Sequence, residues 1–139
     1  MAAGAFTFYD SSKLQIANST FDLDTDTLIA VLATSGYTPA LTQSNLTDIT
    51  NEVTDTDYSR QTITGQSITA TGSTINIDIG DISFGSNVTI TGKWLILFDS
   101  TVSNELVSYV DLDTGGGSVS SSNSTFSVTI ASAGMATLT

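Results

Sequence analysis

Three aspartates at alternate positions, Asp22, Asp24 and Asp26, are the nearest this chain comes to a metal-binding motif. A D-x-D-x-D run opens the EF-hand calcium loop, which also needs Gly at its sixth position and a bidentate Glu at its twelfth. Those positions hold Thr27 and Ala33, and an apolar run starts at Leu28, so the EF-hand is excluded. A looser carboxylate site would have to recruit Asp55, Asp57, Asp111 or Asp113 from elsewhere, and the simpler reading is solvated aspartates lining a turn before a strand. Acid–base work on a glycoside needs two carboxyl groups at a fixed separation. Glu52 and Glu105 are the only glutamates, and no pattern fixes their distance. Gly115 to Gly117 is followed by Ser118 and Val119, without the Lys or the helix of a phosphate-binding loop. The chain has no Cys and no His, which removes thiolate ligands, disulfides and the usual general base. These residues lead to the expectation that the protein is not an enzyme and needs no cofactor and no essential metal.

Composition narrows the partners. The 139 residues carry 14 acidic and 3 basic side chains, a net charge of −11. Such a chain is repelled by phosphate backbones, and Lys13, Arg60 and Lys93 cannot form a basic stripe, so nucleic acid is not expected as a partner. No stretch approaches the length of a membrane-spanning helix, and the start of the chain lacks the charged and apolar regions of a signal peptide, so neither membrane nor secretion is expected. Charged residues are 12% of the chain against a usual figure of about 25%, while Ser (20) and Thr (24) make up about a third. With 40% hydrophobic residues in short alternating runs, the chain reads as folded and β-rich, its surface polar but mostly uncharged.

The elements that must position these residues follow from periodicity. Asp10, Ser11 and Ser12 offer helix caps before a short helix at Lys13 to Ala17, with Leu14 and Ala17 on one face. Leu28 to Ala33 is a continuous apolar run of strand length, so both its faces should be covered. Leu46 to Ile49 suits a helical turn, and Tyr58 to Thr74 one or two edge strands. Ile75, Ile77 and Ile79 alternate with polar residues. Val88, Ile90, Gly92, Trp94, Ile96 and Phe98 share one face of a strand that runs into the centre, with Thr89, Thr91 and Lys93 opposite. Gly92 is a candidate bulge or close approach. Trp94 is expected to anchor the core. Leu106 to Leu112 reads as the hairpin partner, Phe126 to Ile130 as a further strand, and Gly134 to Thr139 as a last short one. About eight short strands and one N-terminal helix predict an all-β fold, an antiparallel β-sandwich forming a single domain over residues 1–139.

Among the aromatics, Tyr37 and Tyr58 fall in connecting segments and are candidates for a contact surface, since amphipathic rings suit interfaces. Phe6, Phe8 and Tyr9 lie in a terminal segment, 1–9, that reads as a contact arm.

The stretches FDLDTDTLIAVLATSGYTPA (21–40), TNEVTDTDYSRQTITGQSITA (50–70), ITGKWLILFDSTVSNELVSYVDLDTGGGSV (90–119) and FSVTIASAGMATLT (126–139) follow one another in an order that resembles a family of small virion structural proteins of tailed bacteriophages. The resemblance spans nearly the whole chain. It implies a capsid cement or decoration protein on the capsid exterior, made in the host cytoplasm, with the major capsid protein as partner. It also implies a homo-oligomer, trimer ahead of dimer. The alternative is a tail- or fibre-associated component, either a structural module or an adhesin of the carbohydrate-binding kind. It brings no catalytic motif.

Overall fold

A computed structural model describes residues 3–139. In chain order the elements are β1 (Thr7–Phe8), α1 (Asp10–Ala17), β2 (Leu28–Ala33), a 3-10 turn (Leu46–Asp48), β3 (Gln61–Thr62), β4 (Ser67–Thr71), β5 (Thr74–Asp78), β6 (Ile82–Val88), β7 (Thr91–Gly92), β8 (Trp94–Asp99), β9 (Glu105–Asp111), β10 (Val119–Ser120), β11 (Ser124–Val128) and β12 (Ala136–Leu138). The fold is all-β and sandwich-like, with antiparallel pairing throughout.

A five-stranded sheet, β1-β9-β8-β2-β3, forms the middle of the molecule. Its central pair is β2 and β8, in register from Leu28 opposite Asp99 to Ala33 opposite Trp94. The unbroken apolar run of β2 has its explanation here, because two cores flank the sheet. On one face Leu28, Ala30, Leu32, Leu95, Leu97 and Val110 pack against Ile77, Ile82, Phe84 and Phe126 from the smaller sheets and against Ile63 and Ile90 from connecting segments. On the other face Val31, Ala33, Ile96, Phe98 and Leu106 are covered by Tyr9 and Tyr37, with Leu46 and Ile49 beside them.

The face expected to be continuous from Val88 to Phe98 is broken at Lys93. Lys93 N–H donates to Ala33 O (2.8 Å), while Trp94 is the residue paired with Ala33. Two residues thus oppose one, which is a bulge, and the bulge reverses the facing of everything after it. Gly92 lies against Leu32, with space for its missing Cβ at 3.5 Å from Cδ2, on the side of the larger core. Trp94, Ile96 and Phe98 then fall on the smaller core, and Leu95 and Leu97 on the larger. Trp94 does lie in a central strand, but at its first residue and only half-buried, so the larger core is anchored by Leu95 and Leu97 instead. Lys93, expected on a wet face, is buried: its Nζ meets Asp111 Oδ1 at 2.7 Å, donates to Asp113 O, and sits 5.5 Å from the Trp94 ring centre.

The helix starts earlier than its spacing predicts. Tyr9 is its N-cap residue but its side chain makes no capping bond, and Ser12, buried, turns its hydroxyl back to Tyr9 O (2.8 Å). Leu14 is exposed, and it is Ile16 that packs on the core.

Candidate interaction surface

The three-stranded sheet β12-β5-β4 has two unlike faces. Residues directly opposite in an antiparallel ladder point to the same side. Ile68 pairs with Ile77 and Ala70 with Ile75, and across the other edge of β5 Ala136 pairs with Ile77 and Leu138 with Ile75. All six are apolar and share one face. Ser67, Thr69, Thr71, Thr74, Asn76, Asp78 and Thr137 take the other. The apolar face is only partly covered. At its Ile77 end it packs into the larger core, whereas Ile68 (42% exposed) and Leu138 (53%) remain open.

The gap between this face and the N-terminal segment is a groove of about 770 Å³, lined by Phe6, Phe8, Ile16, Leu41, Ile77 and Leu138 among others. A second hollow of about 360 Å³ continues past Ile77 and Leu138 to Phe21, Ile68 and Ile75. Three of the four large hydrophobic side chains that stand exposed among the described residues, Leu41, Ile68 and Leu138, line these two hollows. Gly134 sets the edge of the groove: its φ is +88°, and a Cβ would lie 2.9 Å from Ile77 O, so only glycine lets the chain turn into β12 here.

Of the five candidate contact residues, two reach this surface. Phe6 and Phe8 are half-buried and line the groove. Tyr9 and Tyr37 do not, and their placement corrects the expectation. Both are buried under the smaller core, where Tyr9 Oη meets Tyr37 Oη at 3.0 Å and Tyr37 donates to Gln43 Oε1 (2.6 Å). Burial raises the hydroxyl pKa of each above that of a free tyrosine. Tyr58 is also structural. Its hydroxyl accepts from Leu32 N–H (3.0 Å), donates to Glu52 Oε1 (2.9 Å), and its ring stacks on Phe84. Glu52 is further clamped by Arg60 through two bonds of 2.8 and 2.7 Å, which hold its carboxyl below the usual range. The segment expected as a contact arm is woven into the sheet: Gly4 N–H donates to Asp111 O and β1 pairs with β9, while Met1 and Ala2 lie outside the described residues.

The acidic residues are spent on backbone. Asp26 Oδ2 accepts from Asp22 N–H (2.7 Å), Asp55 from Thr91 N–H, Asp57 from Thr89 N–H, and Asp113 from Gly115 N–H. Among the described residues no three acidic side chains converge as metal ligands would. The hydrogen bond between the Asp22 and Asp24 carboxyls lowers the first and raises the second. Asp99 is the exception to exposure. It is fully buried, its Oδ1 accepts from Thr101 and Val102 N–H, and its Oδ2 has no donor facing it. Burial first, and the neighbouring Asp26 carboxyl second, push it up to about 6.

No described helix is long and apolar enough to cross a membrane. The chain matches no family model, no curated protein and no solved structure.

Proposed function

We propose that this protein is a structural component of a tailed-phage virion that acts through contact, binding the outer capsid shell as a cement or decoration protein. The observation that carries the reading is the open apolar face of the β12-β5-β4 sheet, with Leu41, Ile68 and Leu138 exposed beside a groove. Contiguous apolar surface rimmed by polar residues is the usual mark of a protein contact site. Its lining carries only Lys13 and Asp22 as charges, and Lys13 is engaged by Asp10. Interface centres are depleted in charge because desolvating ions is costly. The near full-length sequence resemblance supplies the rest of the reading: the shell, the major capsid protein as partner, and a homo-oligomer whose copy number it does not fix. Contacts of this kind stabilise a shell by mass action, without chemistry.

The carbohydrate-binding adhesin reading would require aromatic rings presented flat to a sugar. Every described aromatic side chain is buried or half-buried. Co-sedimentation with empty expanded shells, run beside a glycan array, separates the two. Binding to shells without glycan binding is the expected result. Glycan binding without shell binding would replace the cement reading with the adhesin.

A further inference from the structure

We infer that the outer edge of β4 is a self-association surface, through which two copies of this chain pair about a two-fold axis at Thr69. Unpaired strand edges invite pairing with another chain, and proteins ordinarily blunt them by shortness, bulges, Pro or inward-pointing charge. Among the described residues the other edges are blunted. β1, β3, β7 and β10 are two residues long and β12 three. The β11–β6 ladder has two register shifts. By contrast β4 is five residues long, exposed throughout, and in unbroken register with β5 from Ser67 to Thr71. It contains no Lys, Pro or bulge.

The occupant is a second copy because the strand complements itself. Pairing about Thr69 sets Thr69 against Thr69, Ile68 against Ala70 and Ser67 against Thr71. Small hydroxyl residues and apolar residues then meet their own kind across the strands, the pairings that stabilise sheets. The hydrogen-bond phase agrees. Gly72 (φ +62°) and Ser73 form a two-residue turn, so the closing pair Thr71–Thr74 is hydrogen-bonded and the pattern alternates back along the strand. Thr69 thus turns its backbone groups to β5, leaving those of Ile68 and Ala70 directed outward to meet Ala70 and Ile68 of the second copy. Charge permits it as well. Residues 61–77 contain no charged side chain, so a molecule of net charge −11 meets its copy along a neutral segment. The product is a six-stranded sheet in which two Ile68–Ala70 strips join the two apolar faces into one.

A five-residue strand pair is small beside the ~1,600 Å² of a stable interface, so the dimer is weak and reversible in dilution. It should strengthen with salt, which screens the repulsion between two acidic molecules. Pairing on this edge does not depend on what the apolar face binds, so its failure and that of the shell-binding reading are distinguishable.

Sedimentation of the full chain at sub-millimolar concentration should show a species of twice 14.4 kDa. Thr69→Lys, which sets two like charges opposite one another at an exposed position, should abolish it without lowering the melting temperature. Because the chain has no cysteine, Thr69→Cys introduces a lone thiol. Mild oxidation should link it into a disulfide dimer, since a pair that is not hydrogen-bonded brings the two Cα atoms closest. Thr137→Cys, on the opposite edge of the same sheet, should remain largely unlinked. A wild-type protein that stays monomeric or sediments as a trimer would overturn the inference. So would a Thr69→Lys variant of unchanged mass, or equal cross-linking at Thr137.

Discussion

Asp99 is the side chain whose environment most departs from what its type prefers. A carboxyl group normally titrates near 4, and here burial and Asp26 push it to about 6. The folded state therefore holds the proton more tightly than the unfolded state. This contribution favours folding below the unfolded pKa and is lost as pH rises through about 6. Asp99→Asn keeps an acceptor for Thr101 and Val102 and supplies a donor toward Asp26, so it should stabilise the protein by about 1–2 kcal/mol at neutral pH and by less near pH 5. Melting curves of both proteins at the two pH values check this, and a loss of stability at neutral pH would contradict it. Tyr37 gives a second residue-scale outcome. Tyr37→Phe leaves Tyr9 Oη and Gln43 without their shared partner, at a cost of about 1–2 kcal/mol by denaturant titration. Neither environment was legible in the sequence. A tyrosine in a loop looks the same whether it faces water or closes a core, and the burial of Tyr9 and Tyr37 is decided by a connection that folds back over β8 and β2.

At the scale of elements, the strands that show most clearly in the sequence are those whose side chains all agree. Leu28 to Ala33 is apolar at every position and proves to be covered on both faces. The alternation of Ile75 and Ile77 gives β5 its two faces. What the pattern does not carry is a one-residue bulge, because the extra residue is set by the partner strand and not by the strand's own sequence. Lys93 is such a residue, and Val107 is another, left over where Leu97 pairs with Ser108 and Phe98 with Leu106. The bulge at Lys93 moves the weight of the core from Trp94 to Leu97. Leu97→Ala, fully buried, should cost about 3–4 kcal/mol, and Trp94→Ala, half-buried at the strand start, about 2 kcal/mol. Unfolding of the two variants in urea would settle the order, and a larger loss at Trp94 would reverse it. The N-terminal segment follows the same logic. Its composition suggests a loose arm, yet β1 pairs with β9 and Tyr9 closes the smaller core. Removing residues 1–9 should therefore impair folding itself, seen as a lost cooperative melt.

For the whole molecule, the acidic excess is distributed as backbone caps instead of gathered into a site. Asp26, Asp48, Asp55, Asp57 and Asp113 each accept from main-chain N–H groups in turns or at strand ends. The melting temperature should therefore be the same in EDTA and in millimolar calcium. A large rise with calcium would show carboxylates converging on an ion and revive the adhesin reading. The apolar surface was only half legible. Phe6 and Phe8 stood out as aromatic residues near the start of the chain, but the groove they line also needs Leu41 and Leu138, and the hollow that continues it needs Ile68, residues from three distant parts of the chain that meet only in the folded structure. The proposed role of this surface is to fasten the protein to a phage shell. It is tested most directly by the rupture temperature of expanded shells with full-length protein and with a Leu138→Asp variant, whose change falls on an exposed side chain. Wild-type protein should decorate the shells and raise their rupture temperature, while the variant should melt like wild type and do neither. Wild-type protein that leaves both occupancy and rupture temperature unchanged, or a variant that protects the shell equally well, would contradict it.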